Sequence, residues 1–250
     1  MDRSGFTDNG RTALGRRGLL IASVSLLSGI ALHATLLTNS RGTDAKRSPA
    51  KNSQTAADAA VPSPADLPDT PVPTGPARIE HGAPAGFART QQGAVAAAAS
   101  FVCTGQSLLD MDPLAAEAAV RQMASAATAD LQVTETLAKL AAARSTLAAG
   151  TGPVVYRQAA VAWRVDSYSP ERVQVAVWSV GVLARHGVAP PQAGWGVSIF
   201  DLVWERDDWK VLDERLTPGP APILDDSAAP ATADQLLASL RGFTDFGGVR

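Results

Sequence analysis

Residues 195–216 read WGVSIFDLVWERDDWKVLDERL, and their reading decides the fold. Val197, Ile199 and Val203 follow the period of two that marks a strand, and WKVLDERL resumes that alternation after a break. The break is Arg206-Asp207-Asp208, a polar run of the kind that favours a tight turn. The stretch therefore predicts a strand, a turn and a returning strand. Upstream, RVQVAVWSVGVL at 172–183 places Val173, Val175 and Val177 on one face against Gln174, Ala176 and Trp178 on the other. VVYRQAAVAWRVDSY at 154–168 alternates in the same way, and Ser169-Pro170-Glu171 joins the two as a hairpin over 154–183. RHGVAPPQAG at 185–194 reads as a looser loop. Four antiparallel strands are predicted.

The period changes before residue 152. GFARTQQGAVAAAASFVCTGQSLL from Gly86 offers Thr90 as an N-cap for an alanine-rich helix ending near Leu109. Asp112 directly before Pro113 marks a second helix start, with proline at the first helical position. A third helix is predicted over 129–148, with Leu131, Val133, Leu137, Leu140 and Leu147 on its apolar stripe and Gly150 as its stop. The stretch 41–85 carries eight prolines and no aromatic residue, a composition that cannot bury a core and reads as a disordered tether. Beyond residue 226 the chain is again loop-like, with a short helix predicted from Ala233.

At the amino end, residues 18–40 contain no Asp, Glu, Lys or Arg over 23 positions, and a membrane-spanning helix needs roughly 20 apolar residues. Two readings stand: a retained single-pass anchor, or an export signal of the twin-arginine kind beginning at Arg16-Arg17. The basic residues before and after the run balance. The short head with its Arg16-Arg17 pair favours a cytoplasmic N-terminus. The sequence thus divides into a basic head at 1–17, a transmembrane helix at 18–40, a linker at 41–85, a folded domain at 86–226 and a tail at 227–250.

Charge and composition narrow the chemistry. Residues 86–226 carry 11 Lys and Arg against 15 Asp and Glu, a balance opposed to direct nucleic-acid binding. Cys103 is alone and has no disulfide partner in the chain, and it reads as a buried core residue. His33, His81 and His186 have no second ligand at metal spacing, so neither a metal nor a cofactor is expected. No G-x-S-x-G, phosphate loop or His-Glu-x-x-His motif is present. Asp201 interrupts an apolar strand and is the one carboxylate placed as a buried general acid would be. Most of the others flank a turn. The expectation is a non-enzyme.

Four stretches carry a resemblance: GFARTQQGAVAAA at 86–98, VQVAVWSVGV at 173–182, LVWERDDWKV at 202–211 and LRGF at 240–243. They resemble actinobacterial single-pass membrane proteins associated with mobile elements. The order of elements resembles the extracytoplasmic VirB8/TcpC-like domains of conjugation machines. The resemblance implies an α+β fold of three N-terminal helices packed on a curved four-stranded antiparallel sheet, an NTF2-like (cystatin-like) cone. It also implies a scaffold subunit of an envelope-spanning transfer apparatus. Its partners would be other membrane or transfer-apparatus proteins, the lipid bilayer through residues 18–37, and further copies of itself. The alternative is an exported cone that encloses a small ligand or acts as an isomerase.

The expected partner surface follows from strand parity. If Val197, Ile199 and Val203 share the core side with the valines of 173–177, then Trp178, Phe200 and Trp204 turn outward together as an exposed aromatic face. A register shifted by one residue buries aromatics instead. A retained anchor predicts that the membrane-bound protein keeps its first residues and resists alkaline carbonate extraction. A mature N-terminus near residue 35 or 41, found by mass spectrometry, would identify a cleaved signal.

Overall fold

The computed structural model describes residues 74–222 and 232–246. A short hairpin opens the domain: β1 (Arg78–Glu80) and β2 (Ala83–Ala85) pair antiparallel around His81 and Gly82, both at positive φ. Helix α1 (Gln91–Asp110) follows, and Thr90 accepts the Gly93 amide at 3.0 Å as its cap. Helix α2 (Pro113–Met123) begins where Asp112 accepts the amides of Leu114 and Ala115, each at 2.9 Å. Helix α3 is Ala129–Ala148. Arg144 of α3 donates to the carbonyls of Leu108, Leu109 and Met111, closing the otherwise unpaired end of α1.

Four long strands come next: β3 (Thr151–Tyr168), β4 (Arg172–His186), β5 (Ala189–Glu205) and β6 (Asp208–Pro218). They are followed by α4 (Ala233–Ser239) and the two-residue β7 (Thr244–Asp245). The main sheet has five strands in the order β6-β5-β4-β3-β7, all its pairings antiparallel. The helices cover its inner face, where Val173, Val175 and Val177 of β4 join Phe101, Leu108, Val120, Met123 and Leu140 in one apolar core. Alanine makes this possible. Ala94, Ala97, Ala98, Ala116 and Ala119 are fully buried and let the helix backbones approach the sheet and each other closely.

The architecture corrects the expected three helices on a four-stranded NTF2-like (cystatin-like) cone. Among the described residues there are four helices, a five-stranded sheet and a separate two-stranded hairpin. The fifth strand is only Thr244 and Asp245, too short to leave a periodic signal. The hairpin at 78–85 falls inside the stretch expected as tether. Pro84 sits in it without harm because a three-residue strand with a single partner leaves the proline nitrogen free of ladder duties. The expected loop at 185–194 is mostly strand, since β4 runs to His186 and β5 begins at Ala189 around Gly187, whose φ is +82°. Among the described residues no helix is long and apolar enough to cross a membrane. The transmembrane helix expected at 18–40, with the head at 1–17, lies outside the described residues.

The motif that turns β5 into β6 ties the layers together. Arg206 and Asp207 both have positive φ, at 52° and 56°, the backbone of a two-residue type I′ hairpin, without the Asn-Gly pair that usually fills it. Asp208, 2% exposed, accepts the amides of Phe87 and Trp209 at 3.0 Å on one oxygen, and on the other the Gly86 amide at 3.1 Å and the Lys210 ammonium at 3.2 Å. Lys210, equally buried, also donates to the Gln122 carbonyl at 2.7 Å, near the C-terminus of α2. Burial holds the Lys210 pKa below its ordinary value, and the Asp208 charge opposes that. The Trp209 indole N–H donates to the Ala88 carbonyl at 2.9 Å. Glu205 accepts the Ser125 hydroxyl at 2.7 Å and the Ala126 amide at 2.9 Å. One turn thereby holds the hairpin, the entry to α1, the end of α2 and the approach to α3.

Breaking one member of a buried ion pair costs about 3–5 kcal/mol because the other charge stays buried and alone. Asp208→Ala should therefore lower the thermal midpoint by on the order of 10 °C. Circular dichroism melts check this. The double variant Asp208→Leu/Lys210→Met should recover part of the loss, since it leaves no orphaned charge.

Candidate functional site: an open strand edge

The sheet register decides which side chains face a partner. Val175 pairs with Phe200 and Val173 with Leu202, so Phe200, Leu202 and Trp204 share the inner face with the β4 valines. Trp178 pairs with Val197, which places both on the outer face with Ile199 and Ala176. The three aromatics expected to turn outward together do not. Phe200 is 1% exposed and belongs to the core. Trp204 is half-buried, edge-on to Trp209 at 5.3 Å, with the Arg89 guanidinium 5.5 Å from its ring centre.

Trp178 does lie on the outer face, yet it is only 7% exposed. Its ring stacks on Trp195 at 4.8 Å, and its indole N–H donates to the Pro220 carbonyl at 3.2 Å. The chain leaving β6 doubles back across this face: the Gly219 amide donates to the Trp195 carbonyl at 3.0 Å. Glycine suits position 219, because a Cβ there would stand 3.0 Å from the Gly196 backbone, closer than an ordinary contact. The candidate surface Trp178, Phe200 and Trp204 is thus corrected to one covered aromatic, one core residue and one residue in a mixed aromatic and cationic cluster. Asp201 is bound on the sheet surface by the Arg172 guanidinium, and this ion pair raises the arginine's pKa.

A different feature is open. Strand β3 spans Thr151–Tyr168, but its second neighbour β7 pairs only with Ala162 and Trp163, aided by the Phe246 amide on the Val161 carbonyl at 3.3 Å. At the other end, an irregularity between Thr151 and Val155, together with Pro153, disturbs the strand. Bulges and proline are the usual means of blunting an edge. The window between, 155–160, is regular on its β4 side and has no strand on its free side among the described residues. Its outward residues Val155, Arg157 and Ala159 are exposed, Val155 at 42%.

Beside the window lies an open groove of about 560 Å³, lined by Pro153, Val155, Ala184, Val188, Ala189 and Pro191 with Arg185 and His186 at its rim. Arg185 donates to the Gly150 carbonyl at 3.0 Å and Arg157 to the Tyr156 carbonyl at 2.7 Å, leaving both guanidinium charges on this side without a carboxylate partner among the described ion pairs. The sequence showed β3 as a strand but not that it would be an edge, because edge position is a property of the assembled sheet.

Among the described residues no cluster of three or more His, Cys, Asp or Glu has the arrangement of a metal site. Comparison with curated proteins yields no match. The solved intermembrane space region of the chloroplast protein ARC6 is similar over 53% of this chain and 97% of its own, at 16% identity and a TM-score of 0.32. That superposition is too loose to transfer fold or function. The VirB8/TcpC-like and conjugative expectation is corrected by the family match, which carries no assigned function. The chain belongs to the DUF8175 family, a domain of unknown function, whose model matches residues 39–234.

Proposed function

We propose that this protein is a non-enzymatic assembly module that acts through protein–protein contacts, by accepting an extended segment of another membrane protein along the free edge of β3. The observation that carries this reading is that β3 has no second strand beside 155–160 among the described residues, next to an apolar groove. Unpaired backbone N–H and C=O groups in a row are met most completely by another strand, while pockets beside them select alternate side chains. The groove takes apolar side chains. Arg157, Arg185 and His186 around it favour acidic residues at the flanking positions. The domain would stand on the extracytoplasmic side of a cell membrane, with residues 18–37 in the bilayer and the N-terminus in the cytoplasm.

The test is recovery of membrane proteins crosslinked to the full chain, compared between wild type and the surface variants Val155→Asp and Arg157→Glu. Both side chains are exposed, so the thermal midpoint should stay within about 1–2 °C of wild type, a change below ~0.5 kcal/mol. Recovery of specific partners should fall at least tenfold, a loss of about 1.4 kcal/mol. Equal recovery by both variants and wild type would overturn the proposal.

A further inference from the structure

The end of the chain lies on the same strand edge. Helix α4 is fastened by its own bonds: the Thr232 hydroxyl accepts the Gln235 amide at 3.3 Å, and the Gln235 side chain accepts the Thr232 amide at 2.9 Å. No residue of α4 is buried, and Leu237 is 63% exposed. Among the described residues the segment 232–246 meets the rest of the domain mainly where β7 lies on β3. There the ladder is two pairs long, Ala162 with Asp245 and Trp163 with Thr244, with the Phe246 amide on the Val161 carbonyl beyond them. Two rings add to the hold. Phe246 tilts against Trp163 at 6.5 Å, and Phe243 lies under the Arg164 guanidinium at 4.8 Å.

A short ladder, two aromatic contacts and an exposed helix mark a segment that opens on its own, at a free energy well below that of global unfolding. Its position gives the opening a consequence. The pairs run antiparallel, so from Trp163 to Val161 the arm advances along the edge toward the window at 155–160. A partner strand confined to that window ends against Phe246. A strand that pairs further, to Ala162 and Trp163, needs the places of Thr244 to Phe246, because one edge offers one row of backbone groups.

We propose that residues 232–246 form a displaceable strap, an intramolecular competitor for the β3 edge that a partner segment must lift in order to pair beyond residue 160. The inference rests on the strand-addition reading above and adds its regulation. Being part of the chain, the strap is always present at high effective concentration. It excludes from 161–163 any segment that does not also gain the backbone bonds of the window and the apolar contacts of the groove.

The test uses the full chain with two synthetic peptides as probes. The short one, Thr-Val-Thr-Glu-Thr-Val, spans the window antiparallel with its glutamate opposite Arg157 and its last valine opposite Val155; the long one adds Val-Thr-Val at the N-terminus to reach Trp163. The Phe246 amide on the Val161 carbonyl makes Ala162 and Asp245 a close, non-hydrogen-bonded pair, whose spacing suits a disulfide. Ala162→Cys/Asp245→Cys therefore fastens the strap when oxidised and frees it when reduced. Cys103, the one native cysteine, is half-buried, and burial raises its pKa, so it competes slowly for the bridge. In calorimetric titrations the oxidised and reduced forms should bind the short peptide alike, and the oxidised form should bind the long one at least tenfold more weakly. Phe246→Ala, which loosens the strap without a bridge, should tighten the long peptide at least threefold and leave the short one unchanged; it decides the matter if the bridge does not form. Equal binding of the long peptide by every form, with the short peptide bound, would overturn the strap and leave strand addition standing. Failure of both peptides to bind any form would overturn both.

Discussion

A carboxylate taken out of water must be met on all sides, and Asp208 is met by three backbone amides and an ammonium that come from different parts of the chain. This constraint organises the rest. It fixes where the N-terminal hairpin delivers the chain to α1, and through Lys210 it fixes the end of α2. It also accounts for two non-glycine residues held at positive φ in the adjoining turn, because the strain at Arg206 and Asp207 is offset by the bonds that the next residue makes. Trp209 and Glu205 extend the same turn to Ala88, Ser125 and Ala126. Helices and sheet are thus tied at one corner by hydrogen bonds, and apolar packing fills in between.

Much of this was legible in the sequence where local chemistry is strong. Thr90 and the Asp112-Pro113 pair announce helix starts because their side chains satisfy amides that the helix itself leaves open. The valines of 173–177 announce a core-facing strand by parity alone. What was not legible depends on single residues whose effect is felt far away. Arg185 pairs with Ala189, whereas Leu183 pairs with Gln192, so β5 carries one more residue than β4 across that step. One inserted residue reverses the face of every side chain beyond it, which sends Phe200 and Trp204 inward and leaves Trp178 outside. No propensity marks such an insertion. The importance of Asp208 was hidden for a related reason: in a turn of four charged residues, Glu205 to Asp208, nothing local distinguishes the buried one.

The two faces of the sheet and its β3 edge have different roles. The inner face is apolar where the helices cover it. The outer face is closed by the chain's own return over Trp178 and Trp195. That leaves the edge of β3 as the side where backbone groups, an apolar groove and positive charge coincide. A surface chosen from aromatic content points elsewhere, because large aromatics in a sheet are most often there to pack.

The measurement that tests the open edge most directly is residue-resolved amide hydrogen exchange on the purified protein. Within the window 155–160, amides directed toward β4 should be protected as strongly as those of Val173, Val175 and Val177, while the alternate amides directed away exchange nearly as fast as exposed peptide. Uniform protection across the whole window in the protein alone would show that the edge is already occupied, and would contradict the account.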